Sequence, residues 1–148
     1  MNISVKQMHA EDIARVAPLF DGYRRFYGQQ GDIARAERFL RERCERGESV
    51  VLFAERDGVA LGFTQLYPIF SSVGTERVWL LNDLYVSDTA RRSGIGEALL
   101  AAAGDFGREQ GALRLMLETG RDNVIAQALY RKLGWVADAT QWFHLPLR

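Results

Sequence analysis

The segment from Trp79 to Gly96, WLLNDLYVSDTARRSGIG, constrains what this chain can fold into more than any other. Trp79 to Val86 is apolar except at Asn82 and Asp83, the pattern of a strand covered on both faces. Ser87-Asp88-Thr89 breaks the run. Arg91-Arg92-Ser93-Gly94-Ile95-Gly96 then leads into a helical spacing of Ile95, Leu99, Ala102, Ala103 and Phe106. A strand that feeds a glycine-rich turn at a helix start is a ready anion site. The first N–H groups of the helix lack internal partners, and the positive end of its dipole faces the loop. Gly94 and Gly96 let a diphosphate approach the backbone, and Arg91 and Arg92 add charge. Two other glycine signatures do not fit. The dinucleotide pattern needs a glycine where Leu99 stands, and the triphosphate loop needs Lys-Ser/Thr where Glu97 follows Gly96.

A second block, Asn123-Val-Ile-Ala126-Gln-Ala-Leu129-Tyr130-Arg-Lys-Leu-Gly134-Trp135, lies after the next expected strand. Arg91-x-x-Gly94-x-Gly96 and this block together resemble the GNAT superfamily of acetyl-CoA-dependent N-acetyltransferases, over roughly the C-terminal half of the chain. The resemblance implies that Arg91, Arg92, Ser93, Gly94, Ile95 and Gly96 hold the pyrophosphate of acetyl-CoA. It implies that the backbone of Leu84, Tyr85 and Val86 pairs with the pantetheine arm, and that Asn123, Ala126 and Tyr130 also meet the cofactor. It assigns Tyr130 as the general acid at the departing sulfur, and it implies the GNAT fold. The wording Leu81-Asn82-Asp83-Leu84-Tyr85-Val86 is similar to the branch related to histone and polyamine acetyltransferases. That branch points to a homodimer built through C-terminal strands.

Composition narrows the alternatives. At 148 residues the chain suits one domain, 1–148, with a real core. Nineteen basic residues balance nineteen acidic ones, which gives no attraction to nucleic acid or to a membrane surface. Cys44 is the only cysteine, and His9 and His144 are the only histidines, so neither a disulfide, a zinc cluster nor a histidine-rich metal site is expected. With no apolar run of membrane-spanning length and no signal-peptide pattern at the N-terminus, the expected location is the cytoplasm.

Periodicity supplies the remaining elements. Strands are expected at Ile3–Gln7, Ser49–Arg56, Ala60–Tyr67 and Arg77–Val86, with Asp57-Gly58 as a hairpin turn and residues 68–74 as a loop. A helix follows His9 and carries Ile13, Val16, Ala17 and Phe20, with Pro18 as a candidate kink. Asp21 to Gly28 then reads as a glycine-bounded aromatic segment. Another helix spans about Asp32 to Arg46. After the glycine-loop helix, Leu113, Leu115 and Leu117 mark a fifth strand, Asn123 to Leu133 a helix, and Trp135–Ala137 and Gln141–Leu147 two closing strands. The whole is a mixed, mostly antiparallel α/β sheet with helices on both faces.

Moving an acetyl group from a thioester to an amine requires removal of the amine's proton, stabilisation of an oxyanion and tolerance of a leaving thiolate. Tyr130 is the candidate acid, and Asn123 either contacts the cofactor or caps its helix. The oxyanion donor expected by resemblance is the N–H of Tyr85 or Val86. Asn82 and Asp83, adjacent on a strand, are expected to point to opposite faces. Asn82 stands where some polyamine acetyltransferases carry an acid, so the base is Asp83, Glu118 or a chain of waters. The acceptor pocket draws on Tyr23, Phe26, Tyr27, Phe70 and Asn82, whose rings suit a cationic amine. The expected acceptor is a small amine, a polyamine or an amino-acid-like molecule. A protein lysine or N-terminus, and a non-catalytic acyl-CoA-binding module, are the alternatives.

Overall fold

The computed structural model describes residues 2–148. The chain forms two compact units, Met1–Glu118 and Thr119–Arg148. In the first, five strands lie in sequence order: β1 Ser4–Gln7, β2 Val50–Arg56, β3 Val59–Ser71, β4 Glu76–Val86 and β5 Leu115–Met116. The first three pairings are antiparallel and β4–β5 is parallel, giving the mixed sheet that the sequence pattern implies. Asp57 and Gly58 both have positive φ, 52° and 77°, as a two-residue turn between right-twisted strands demands. Residues 68–71, expected in a loop, continue β3 instead. Pro68 is tolerated there because the β2 pairing ends at Leu66, so nothing calls on its missing N–H from that side.

Helices α1 (Ile13–Phe26) and α2 (Ile33–Glu45) cover one face of the sheet, burying Ile13, Val16, Phe20 and Leu40 with Phe53 and Phe63. Helix α3 (Ile95–Glu109) covers the other, where Ile95 and Leu99 meet Ala54, Leu84 and Val86. Each such fully buried side chain contributes about 1.5–3 kcal/mol. Helix α1 runs through Pro18 and Gly22 and takes in most of the glycine-bounded aromatic segment. Gly22 marks close approach: a Cβ there would lie 2.8 Å from the Tyr85 hydroxyl oxygen. Asp32 caps α2, its Oδ1 accepting the Arg35 N–H at 3.0 Å.

One irregularity in β4 reorganises its second half. Gln65 pairs with Asp83 but Leu66 pairs with Leu81, so Asn82 is an extra residue, a β-bulge. Trp79 meets Phe106 of α3, whereas Tyr85 meets Tyr23 of α1. In a regular strand these two residues would share a face.

The second unit contains α4 (Val124–Lys132). Asn123 Oδ1 accepts the Ala126 N–H at 3.2 Å and begins the helix. At its end Gly134 has φ +94°; its N–H donates to Arg131 O, and the Trp135 N–H donates to Tyr130 O at 2.9 Å. This is a Schellman cap with its hydrophobic contact, Trp135 against Tyr130 with ring centroids 6.1 Å apart. The two closing strands are not formed: residues 135–148 contain no strand. An alternating pattern proposes a face, but only a hydrogen-bonded neighbour makes a strand, and Pro146 removes one donor. Trp142, Phe143, Leu145 and Leu147 are exposed. Among the described residues no helix is long and apolar enough to cross a membrane.

Gly62 on β3 provides a test of the α3 face. A Cβ there would meet Tyr85 O at 2.9 Å and Ile95 Cγ2 at 3.0 Å, and the backbone contact cannot rotate away. Gly62→Ala is expected to lower stability by about 1–3 kcal/mol. Equilibrium urea unfolding measures it; a midpoint equal to that of the parent contradicts the packing described.

Candidate active site

The bulge at Asn82 brings two side chains together that strand alternation would separate. Asn82 Nδ2 donates to Asp83 Oδ1 at 2.7 Å, which corrects the expectation of opposite faces. Asn82 is exposed, and Asp83 is only 2% exposed. From the neighbouring strand Gln65 Nε2 donates to Asp83 Oδ2 at 2.6 Å, and Thr64 Oγ1 donates to the Asp83 carbonyl at 2.7 Å. The Tyr23 hydroxyl donates to Asn82 O at 3.3 Å and also acts on the Asp83 carboxyl. Burial pushes the Asp83 carboxyl up from its ordinary range, and the bonds from Asn82, Gln65 and Tyr23 offset this only in part. Burial and the Asp83 charge push the Tyr23 and Tyr67 phenols up in turn.

Two other buried acids in this unit are treated differently. Glu55, 7% exposed, is paired with Lys6 and Arg15, and those bonds hold it below the ordinary carboxylate range. Asp21, 4% exposed, pairs with Arg25 at 3.2 Å and accepts the Asp32 N–H at 2.7 Å. Asp83 has amide and phenol partners instead of a cation, so nothing cancels the upward push of burial on its carboxyl.

The second half of β4 also presents an open edge. β5 pairs only with Trp79 and Leu80, so from Leu81 onward that side of β4 has no strand beside it. The Ser87 N–H donates to Leu61 O at 2.9 Å. By the alternation of an antiparallel ladder, Tyr85 turns its N–H toward β3, while Leu84 and Val86 turn theirs toward the open edge. Arg91 Nε donates to Val86 O at 3.2 Å, in agreement with that orientation. Of the two expected oxyanion donors, the ladder therefore leaves Val86 facing outward and Tyr85 turned inward. The side chains of Leu84 and Val86 pack beneath α3, so only their backbone is on offer.

Beyond Val86 the loop carries positive φ at Arg92 (64°) and Gly94 (81°), a geometry that folds successive N–H groups into a concave anion site at the start of α3. A Cβ at Gly94 would meet nothing within 4 Å, and one at Gly96 would meet only Val86 Cγ2 at 4.0 Å. The space over both glycines is open to a ligand. Ser93 Oγ donates to Ala90 O and tightens the turn, and the Ile95 side chain is buried, leaving its backbone at the helix start. Arg92 is exposed, whereas Arg91 folds back onto Asp88 at 2.9 Å and lies 5.7 Å from the Tyr85 ring and 6.0 Å from that of Phe26.

Tyr23, Tyr27 and Phe26 form one aromatic run at the end of α1, with Phe26 66% and Tyr27 67% exposed. Phe70 stands apart from them, opposite Arg77 and stacked on its guanidinium, roughly 20 Å along β4 from Asp83. Glu118 is exposed just past β5. A polar cleft of about 360 Å³ between α1 and α2 is lined by Arg24, Gln29, Gln30, Gly31, Asp32 and Arg35, and not by Asp83. In the C-terminal unit Asn123 caps α4, Ala126 gives it the capping bond, and Tyr130 sits at its final turn. Sequence reasoning overlooked Gln65. Its signal was the polar pair Thr64-Gln65 inside the otherwise apolar stretch from Val59 to Phe70.

The chain is 46% identical over 136 residues to the N-acetyltransferase YhfO of Bacillus subtilis, covering 92% of this chain and 91% of that protein. A crystal structure of a probable acetyltransferase shares 39% identity and superposes with a TM-score of 0.92 over 98% of each chain. A predicted acetyltransferase with acetyl-CoA from Clostridium acetobutylicum, at 16% identity, has the same fold, with a TM-score of 0.78 over 99% of this chain and 97% of that one. The model of the acetyltransferase (GNAT) family matches residues 16–135, from α1 through the bulged strand and glycine loop to Trp135. On that match, the chain belongs to the GNAT acetyltransferase family.

Proposed function

We propose that this enzyme acetylates a primary amine of a small cationic acceptor by direct attack, with Asp83 as the base. The observation that carries the proposal is a buried carboxyl without a cationic partner, beside exposed aromatic rings that suit an ammonium group. Acetyl-CoA supplies the activated acetyl thioester. The N–H groups at the start of α3, with Gly94 and Gly96 kept free of side chains, hold its pyrophosphate, and the outward backbone of Leu84 and Val86 receives its arm. The N–H of Val86 stabilises the developing oxyanion, Asp83 takes the amine proton, and the Tyr130 hydroxyl returns a proton to the departing sulfur. Asn123 and Ala126 border the same cofactor. The reaction takes place in the cytoplasm, and the exposed Trp142, Phe143, Leu145 and Leu147 support a homodimer formed through the tail.

Three outcomes follow from this scheme. Gly94→Asp places a negative charge in the anion cradle at a left-handed position that aspartate tolerates, so the fold persists while acetyl-CoA binding disappears from calorimetric titration. Unchanged affinity contradicts the cradle. Tyr130→Phe lowers kcat, by about 10²-fold, more than it raises either KM. A panel of small amines, lysine peptides and N-terminal peptides, assayed by thiol release and product mass, identifies the acceptor; turnover confined to peptides overturns the small-amine reading, and none at all overturns the enzyme.

Asp83→Asn separates activity from stability. It is expected to lower kcat by about 10²–10⁴-fold. Burial raises the folded-state pKa of Asp83, so between the unfolded and folded values the native protein holds more protons than the unfolded chain. The parent therefore loses stability as pH rises through that window. The variant has no such penalty. In thermal melts it is expected to match or exceed the parent at pH 8 and to lose that margin as pH falls through that window; a variant equally destabilised at every pH contradicts the assignment.

A further inference from the structure

We propose that Gln65 is a positioning residue that serves Asp83 in both of its protonation states, by inverting its side-chain amide. The inference rests on the reading of Asp83 as the base. Gln65 is fully buried on β3, directly opposite Asp83 in register, and its Nε2 donates to Asp83 Oδ2 at 2.6 Å. Its Oε1 is buried and has no hydrogen-bond partner. A buried amide oxygen left unpaired is costly, and a purely structural glutamine would be tied at both ends.

The unpaired end has a chemical meaning. An ionised Asp83 needs donors, and Gln65 Nε2 supplies one at Oδ2 while Asn82 Nδ2 supplies the other at Oδ1. When the acceptor's N–H bond breaks and an O–H bond forms on Asp83, the nitrogen keeps the electron pair and the acid becomes a donor. Asn82 holds Oδ1 as an acceptor, so the proton resides on Oδ2, facing Gln65. A glutamine frozen as a donor would then oppose that O–H. Rotation of the amide by half a turn presents Oε1 to it instead. Because Oε1 is unpaired, no second bond holds the amide in its present orientation. Gln65 thereby lets one buried acid both accept and keep a proton, which a lysine or arginine at this place would forbid.

The groups facing Asp83 are Gln65 and Tyr67 of β3, Asn82 of β4 and Tyr23 of α1, with Tyr27 next to Tyr23; Arg43 of α2 acts on Tyr67. Both Tyr23 and Tyr67 are shifted upward from ordinary phenols, so neither produces an acid limb; the readout is the displacement of that limb between the parent and the Gln65 variants. The experiment is the pH profile of kcat/KM for the parent, Gln65→Leu and Gln65→Glu, with Asp83→Asn as reference and acetyl-CoA affinity measured for each. Gln65→Leu removes the bond in both states; because the bond to the ionised acid is the stronger of the two, the variant is expected to move the acid limb up, by up to about one pH unit, with acetyl-CoA affinity unchanged. Gln65→Glu sets a second carboxyl against Asp83 and is expected to move it further. A limb that stays in place in both soluble variants overturns the role of Gln65, even if the rate falls at every pH. Should Leu at this site fail to fold, the limb of Gln65→Glu decides alone. Full turnover by Asp83→Asn would instead remove the base assignment itself, a separate failure.

Discussion

A single extra residue in the central strand governs what the rest of this protein can do. Without the bulge at Asn82, Trp79 and Tyr85 would lie on one face, and Asp83 would face away from the side chain beside it. With it, the first half of β4 packs Trp79 under α3, and the second half packs Leu84 and Val86 there while sending Tyr85 and Asp83 toward α1. The sheet thus keeps a continuous core on both sides while one carboxyl is embedded in it. The same region of β4 has lost its β5 neighbour, which leaves the outward N–H and C=O groups of Leu84 and Val86 beside the acid. Local twist and an unpaired edge are what bulges bring to a sheet, and here both fall beside Asp83.

The glycine loop continues that strand geometry. Arg91 spans from Asp88 to Val86 O and lies between Tyr85 and Phe26, so the anion loop and the aromatic end of α1 share a guanidinium. Asp21 fixes the other side of that aromatic run by accepting the Asp32 N–H, tying the end of α1 to the start of α2. Gly22 then lets α1 sit close enough for Tyr23 to reach the Asn82 carbonyl. The exposed rings of Phe26 and Tyr27 are therefore carried on a segment anchored at both ends.

Much of this was legible in the sequence because local rules and tertiary packing agreed. The Asp57-Gly58 turn, the Asp32 cap, the spacing of Ile95 and Leu99, and the glycine loop each carry their signal within a few residues. The Tyr130-to-Trp135 spacing is another: the glycine and the aromatic complete a Schellman cap, so part of that motif is the helix's own punctuation. The bulge was invisible because Trp79 to Val86 is apolar on both faces, and a run without alternation cannot reveal where alternation slips. The closing strands were overread for the complementary reason. Residues 141–147 have the right composition, but a strand is a relation between two segments, and composition describes one. Aromatic type alone groups Phe70 with the other rings, whereas the register of β3 on β4 carries it to the far end of the hairpin.

The contrast among the three buried acids bears on why Asp83 is there at all. A carboxylate withdrawn from water is costly, and the chain's ordinary remedy is a cation: Lys6 and Arg15 for Glu55, Arg25 for Asp21. Had Asp83 been selected only to hold the sheet together, the same remedy would have served, or a leucine would have done better. Instead its oxygens receive neutral donors that are strong enough to keep it ordered and too weak to keep it ionised at all costs. Neutral partners leave the upward push of burial in place, so this carboxyl keeps a proton more readily than an ordinary one. The burial of Asp83 among neutral donors and the unpaired oxygen of Gln65 opposite it leave two neighbouring polar groups less than fully satisfied, the condition on which the proposed base and its positioning partner both rest.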